Sequence, residues 1–225
     1  DTLMHSVAFA PSDDLGGRFR DVSRAGFQLA MDISAYSLIP MAKHADAIMP
    51  DGGSIMALTY YASERVFPKY NVMAIATAAL ENIVRYLAVV LGPEGIRVNA
   101  LSPAARRREP GEPVSVRMPW RREAGQTRAD MQAATPTPES VAPMVVYLAS
   151  DASAWVSGQA FFLAGDSLAL IDRPAEARFA FRPEGWSIDD LEHHVRHVLG
   201  PGMAHPSMQA APYAWHAGVG KEGST

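Results

Sequence analysis

Three features of this 225-residue chain predict an α/β fold built on a parallel sheet. Short apolar runs alternate with segments of helical periodicity, the helical segments exceed a dozen residues, and glycine- or proline-bearing turns separate the two kinds. Strand, long helix and second strand connect most simply as a right-handed βαβ crossover, which leaves neighbouring strands parallel.

The elements follow in order. "TLMHSVAFA", residues 2–10, is a short apolar run ending in a Pro-Ser-Asp-Asp turn, the pattern of an interior strand buried on both faces. From Asp21 to about Met49 the positions Val22, Phe27, Ala30, Met31, Ile33, Leu38, Ile39, Met41 and Ala45 recur at helical spacing, predicting one long helix bent near Pro40. "SIMALT" gives a second strand. The segment 70–91 gives a helix with a wide apolar band, closed by "GPEG", and "IRVNALS" gives a third strand.

Residues 104–137, rich in Pro, Arg and Glu, carry no sustained period and read as a loop or lid. "PESVAPMVVYLASD" is a helix opened by Pro138 and Glu139, and "GQAFFLAG" reads as the last core strand. Residues 1–170 therefore form the domain. Residues 171–225 form an irregular C-terminal extension containing one capped helical stretch, "SIDDLEHHVRHVLG".

Composition narrows the function. A net charge of −4 and a pI near 6.0 provide no basic field for nucleic acid or an anionic membrane. The absence of cysteine excludes disulfides, a thiolate nucleophile and thiolate metal ligands, and fits a cytoplasmic setting. No apolar run approaches the roughly 18 residues needed to span a bilayer, and there is no basic-then-apolar leader. The chain starts at Asp1, directly before the apolar stretch from Leu3 to Ala10, so an upstream portion is expected.

Two polar clusters read as solvated surface. His193, His194 and His197 have metal-compatible spacing on a short helix, but no third ligand type accompanies them, and no metal is expected. Arg106, Arg107, Arg108, Arg121 and Arg122 suit a solvated loop, with a coenzyme A phosphate or an acidic carrier protein as the sharper alternative. Met31, Met41, Met49, Met56 and Met73 read as core filler.

"HSVAFAP", "LGGRF", "AMDISAYSL", "GGSIMALTYYASERVFPKYNVMAIATAALE" and "VRYLAVVLGPEGIRVNALSP" resemble, in order, consecutive segments of enoyl-acyl-carrier-protein reductases, a branch of the short-chain dehydrogenase/reductase superfamily. From about Pro103 onward, "NALSPAARRR", "TPESVAPMVVYLASDASAWVSGQAF" and "PEGWSIDDLEHHV" are more similar to hydroxyacyl dehydrogenases of the multifunctional-enzyme type. The resemblance implies a truncated Rossmann-like, doubly wound parallel sheet, the second half of a short-chain dehydrogenase fold.

It also implies roles for particular residues. Tyr70 matches the tyrosine that donates a proton or stabilises an enolate or alkoxide, and Tyr60 matches a second active-site tyrosine. Thr77 stands where the family's cofactor-binding lysine is expected, and Lys69 is a poor substitute because it points roughly 100° away around the helix. No glycine-rich phosphate loop follows a strand; "LGG" at residues 15–17 follows a turn. Ser6, Val7, Ala8, Leu58, Thr59, Pro103 and Ala104 would line only half of a dinucleotide crevice.

These departures lead to a definite expectation: a catalytically inactive, enoyl-reductase-like pseudoenzyme with vestigial Tyr70 and Tyr60 and no cofactor. It would serve as a structural or assembly subunit, meeting a protein partner or further copies through helices 21–49 and 70–91. The alternative is an NADH- or NADPH-dependent enoyl-acyl-carrier-protein reductase or hydroxyacyl dehydrogenase of fatty-acid metabolism whose N-terminal half lies outside this chain. A third reading is an acyl-thioester-binding module.

Overall fold

The computed structural model describes residues 1–67, 69–103, 138–164, 167–171 and 180–200. The chain divides into two compact units, Asp1–Ile171 and Asp172–Thr225. The expected lid at 104–137 lies outside the described residues.

In the first unit, β1 (Thr2–His5), β2 (Gly53–Leu58), β3 (Ile96–Pro103), β4 (Ala160–Ala164) and β5 (Ser167–Ile171) form one sheet in that spatial order. β1 to β4 run parallel, and β5 returns antiparallel beside β4. The helices are α1 (Ser12–Gly16), α2 (Arg24–Met31), α3 (Leu38–Asp46), α4 (Asn71–Leu91) and α5 (Ala142–Ala149).

Strand alternation assigns the layers. Ile55, Ala57, Ile96, Val98 and Ala100 point into a core shared with Leu38 and Ala42 of α3 and Leu80 and Val84 of α4. Met56 and Leu101 point the other way, toward Met144 and Leu148 of α5. The sheet is thus covered on both faces, the arrangement expected of a doubly wound fold.

Three expectations need correction. β1 is not an interior strand: it forms the sheet edge, only its His5 is buried, and Met4, Val7 and Phe9 are exposed. The single helix 21–49 is instead α2, a π-helical turn at Asp32–Tyr36, and α3. Pro40 cannot donate a backbone hydrogen bond, and just before it the ladder widens, with the Ser37 N–H reaching back five residues to the Asp32 carbonyl at 3.1 Å. "GQAFFLAG" is not the last strand, because "SLALI" adds β5 at the far edge.

The expectation that no apolar run approaches membrane-spanning length needs correction: helix α4 with its 3₁₀ extension, Asn71–Glu94, is long and apolar enough by length and composition, because its few charged residues are spaced along a broad apolar band. Its apolar band covers the sheet instead, burying Val72, Ala76, Leu80 and Val84. Tyr86, Val89 and Val90 lie on the opposite, exposed face.

Polar ties fix the helices. Arg97 of β3 donates to the Leu148 carbonyl at 2.9 Å, to the Ser153 hydroxyl at 2.7 Å and to the Ser150 carbonyl at 3.2 Å, placing a cation at the C-terminal end of α5. Asp14 of α1 accepts the Ser23 N–H at 2.7 Å, while the Ser23 side chain accepts the Gly26 N–H at 2.9 Å and caps α2. A Cβ at Gly26 would overlap the Asp14 carboxylate, so that turn requires glycine.

In the second unit, α6 (Ile188–His194) starts with a capping box between Ser187 and Asp190 and continues into a π-helical turn at Val195–Leu199. The rings of His193 and His197 lie 4.9 Å apart. Among the described residues no group of three His, Cys, Asp or Glu is arranged to hold a metal ion.

Fully buried His5 makes a 2.8 Å hydrogen bond through Nε2 to the Ser37 hydroxyl, which itself donates to the Ile33 carbonyl at 2.6 Å. The Ser37 proton being committed, Nε2 carries the hydrogen. Burial holds the imidazole below its ordinary value of 6.5. The unfolded chain therefore binds the extra proton first, so the stability this residue contributes is full above pH 6.5 and is lost as pH falls below it. Thermal melts from neutral to mildly acidic pH are expected to show the wild type losing stability relative to His5→Asn; parallel curves would contradict this.

Candidate functional site

The carboxyl ends of parallel strands are where open α/β sheets bind ligands, because strand ends and helix N-termini converge there. Four parallel strands end together on this side. The residues just beyond β1 and β2, together with the end of β3, form a shelf near the N-terminus of α4.

Beyond β1, Ser6, Val7 and Ala8 are exposed. Their position is held from one residue further on: the Phe9 N–H donates to the Ser34 hydroxyl at 2.9 Å, and that hydroxyl also faces the Phe9 carbonyl at 3.0 Å and the Met73 sulfur at 3.6 Å. Ser34 sits in the π-helical turn, so the same irregularity that accommodates Pro40 delivers a buried hydroxyl to the shelf. Periodicity carries no sign of this contact, because π turns have no simple periodic signature.

Beyond β2, Leu58 is half-buried and Thr59 buried, with the Thr59 N–H donating to the Leu101 carbonyl at 2.9 Å. Tyr60 follows in an extended conformation. Pro103 ends β3, and Ala104 lies outside the described residues. Ser102 is buried, and its hydroxyl has no hydrogen-bond partner among the described residues.

Tyr70 occupies the N-cap position of α4. The Tyr60 and Tyr70 rings are 4.7 Å apart at 51°, and Phe67 packs on Tyr60 at 5.4 Å. Two tyrosines ten residues apart are thus brought into contact. Burial, reinforced by the neighbouring Tyr60 phenol, pushes Tyr70 up to about 12. Tyr70 accordingly carries its proton throughout the physiological range.

Thr77 lies two turns along the same helix face, and its hydroxyl bonds to the helix's own carbonyls, Met73 and Ala74, both at 3.0 Å. It is buried and offers no positive charge to the shelf. Asn71, next to Tyr70, donates to the Gly17 carbonyl at 2.7 Å, which fastens the "LGG" turn to the start of α4. Arg106, Arg107, Arg108, Arg121 and Arg122 lie outside the described residues.

Lys69, immediately before Tyr70, has φ of 65°, the left-handed region that costs a side-chain-bearing residue roughly 1 kcal/mol. Lys69→Gly is expected to raise unfolding free energy by roughly 0.5 to 1 kcal/mol in urea titrations, with Lys69→Ala showing no gain. A lower midpoint for the glycine variant would show that the conformation is not strained.

Comparison with known proteins supplies the context for this geometry. Residues 1–165 match the family described as Enoyl-(Acyl carrier protein) reductase, a match that runs well past residue 103, where the sequence begins to resemble hydroxyacyl dehydrogenases. The chain is 44% identical over 169 residues to an NADPH-type enoyl-[acyl-carrier-protein] reductase of Staphylococcus aureus, covering 71% of this chain and 61% of that protein. It is 38% identical over 171 residues to the NADH-type enzyme of Escherichia coli, covering 73% and 63%. With an NADH-type enzyme of Rhizobium meliloti it shares 57% identity over 102 residues, 45% of this chain and 38% of that one.

Among solved structures, the Bacillus cereus enoyl-acyl carrier protein reductase with NADP+ and indole naphthyridinone superposes with a TM-score of 0.61 at 39% identity, covering 73% of this chain and 63% of that one. The Aquifex aeolicus NADH enzyme gives 0.60 at 35%, covering 74% and 61%. The chain therefore spans less than two thirds of the length of these relatives.

These findings overturn the expectation of an inactive pseudoenzyme and structural subunit that needs no cofactor. The relatives that share its fold and sequence are named as NADH- or NADPH-type reductases.

Proposed function

The chain belongs to the enoyl-(acyl carrier protein) reductase family, and on that premise we propose that it supplies the substrate-facing, proton-donating side of an NADH- or NADPH-dependent enoyl-thioester reductase. The observation that carries this reading is the Tyr60–Tyr70 contact, set at the carboxyl ends of parallel strands, with a Tyr70 phenol that keeps its proton. Reduction of a carbon–carbon double bond conjugated to a thioester develops negative charge on the thioester oxygen. A half-buried, neutral phenol is suited to meet that charge with a hydrogen bond and then a proton.

The shelf fits the nicotinamide end of a dinucleotide. Ser6, Val7 and Ala8 are exposed beyond the edge strand, Leu58 and Pro103 are half-buried beside the buried Thr59, and the buried Ser102 hydroxyl has no hydrogen-bond partner among the described residues. The cofactor, when bound, supplies the hydride. Tyr60, packed on Tyr70 and Phe67, limits the approach of water and confines the orientation of a flat conjugated substrate. Thr77 leaves the Tyr70 phenol without a nearby cation on that face of the helix, so Tyr70 acts as a neutral hydrogen-bond donor and not as a tyrosinate.

The reading is tested by following nicotinamide absorbance with a crotonyl thioester, in the chain and in its Tyr70→Phe variant. Turnover that falls about a hundredfold or more in the variant is expected. No turnover and no nicotinamide binding by the wild type, or turnover indifferent to Tyr70→Phe, would overturn the proposal.

Thr77→Lys gives a second check. A cation on the same helix face favours tyrosinate, so it is expected to draw the Tyr70 phenol down from about 12 and to move the alkaline limb of the pH–rate profile to lower pH. An unmoved limb would mean that position 77 does not act on Tyr70.

A further inference from the structure

Glu81 is the one carboxylate on the buried face of α4, 2% exposed among Val72, Ala76, Leu80 and Val84. A leucine would fill much the same space without desolvating a carboxyl group, so stability alone does not account for a glutamate here. Its partners suggest what does. The Thr59 hydroxyl, 6% exposed, donates to Glu81 Oε1 at 2.6 Å, and the Ser63 side chain lies beside the same carboxyl group.

Thr59 and Ser63 bracket Tyr60, Tyr61 and Ala62. Thr59 is fastened at both ends, its backbone to β3 through the Leu101 carbonyl and its side chain to α4 through Glu81. Tyr60 is the next residue. Tyr70, its ring neighbour at 4.7 Å, sits at the N-cap of α4, about three turns from Glu81. The two rings therefore belong to different elements, and their contact depends on how the segment after β2 is fastened to the helix.

We propose that Glu81 is a positioning residue: through Thr59 it anchors the Tyr60–Ser63 segment to α4 and so sets the contact between Tyr60 and Tyr70. The functional meaning of that contact rests on the reductase reading, while the contact itself does not. Burial pushes the Glu81 carboxyl up, against the pull of the Thr59 and Ser63 hydroxyls. What the geometry requires of position 81 is an acceptor for Thr59, which a glutamine carbonyl also provides.

The test uses proton NMR on the chain with isotope-labelled tyrosine rings, reading the Tyr60–Tyr70 ring cross-peak, which Tyr70→Phe assigns. This readout needs neither cofactor nor turnover, so it stands apart from the fate of the reductase proposal. Glu81→Leu is expected to lose the cross-peak, Glu81→Gln to retain it, and Thr59→Val, which removes the same bond without changing shape, to reproduce the loss. Where Glu81→Leu fails to fold, Thr59→Val decides. A cross-peak that persists in Thr59→Val, or one that vanishes in a folded Glu81→Gln, would overturn the proposal.

Discussion

The seating of α4 on the sheet is the constraint from which the rest of this structure follows. Six of its eight buried residues are apolar, and Leu80, Val84 and Leu91 together with Ile55, Ala57, Ile96, Val98 and Ala100 make the larger core. Removing such surface from water stabilises by roughly 25 cal/mol per Å², which holds helix and sheet together as one body. Every feature of the candidate site is then referred to that body: Ser34 through Met73, the "LGG" turn through Asn71, the segment after β2 through Glu81, and Tyr70 by sitting on the helix end. A ligand shelf made of loops is in this way given the precision of a helix.

Much of this was legible in the sequence because it rests on periodicity. The apolar band of residues 70–91 and the runs "SIMALT" and "IRVNALS" announce a helix between two strands, and the structure returns α4, β2 and β3 within a residue or two. Illegible features depend on hydrogen bonding that periodicity does not encode. The π turn before Pro40 keeps nearly the same apolar spacing as a bent helix but moves Ser34 and Ser37 inward, where they meet Phe9 and His5. "SLALI" is too short to announce itself, and only pairing with "AFFLA" makes it a strand.

The site was half legible, and the missing half concerns inference more than residues. The resemblance points to Tyr60 and Tyr70 separately, and the structure adds that their rings meet. The error lay in taking Thr77 and the lack of a phosphate loop as evidence of a dead protein. A lysine at 77 would tune the phenol, but a phenol near 12 already holds the proton that an enolate needs. The chain spans about three fifths of these relatives, so contacts missing from it say little about whether its family's chemistry is lost.

Glu81 escaped the sequence reading for a related reason. It stands at a position where the helical pattern calls for an apolar side chain, between Leu80 and Val84, and in a band that wide one polar residue reads as the boundary of the solvated face. Burial turns that reading around. A carboxyl group withdrawn from water must find a donor, and the one it finds is the Thr59 hydroxyl, one residue before Tyr60. The unfavourable desolvation is offset only when that hydroxyl is in place, so the helix and the segment after β2 are coupled in a way that apolar packing, being non-directional, would leave loose. Apolar contact holds the sheet and helix together, and the directional bond from Thr59 to Glu81 decides where on that surface the tyrosine sits.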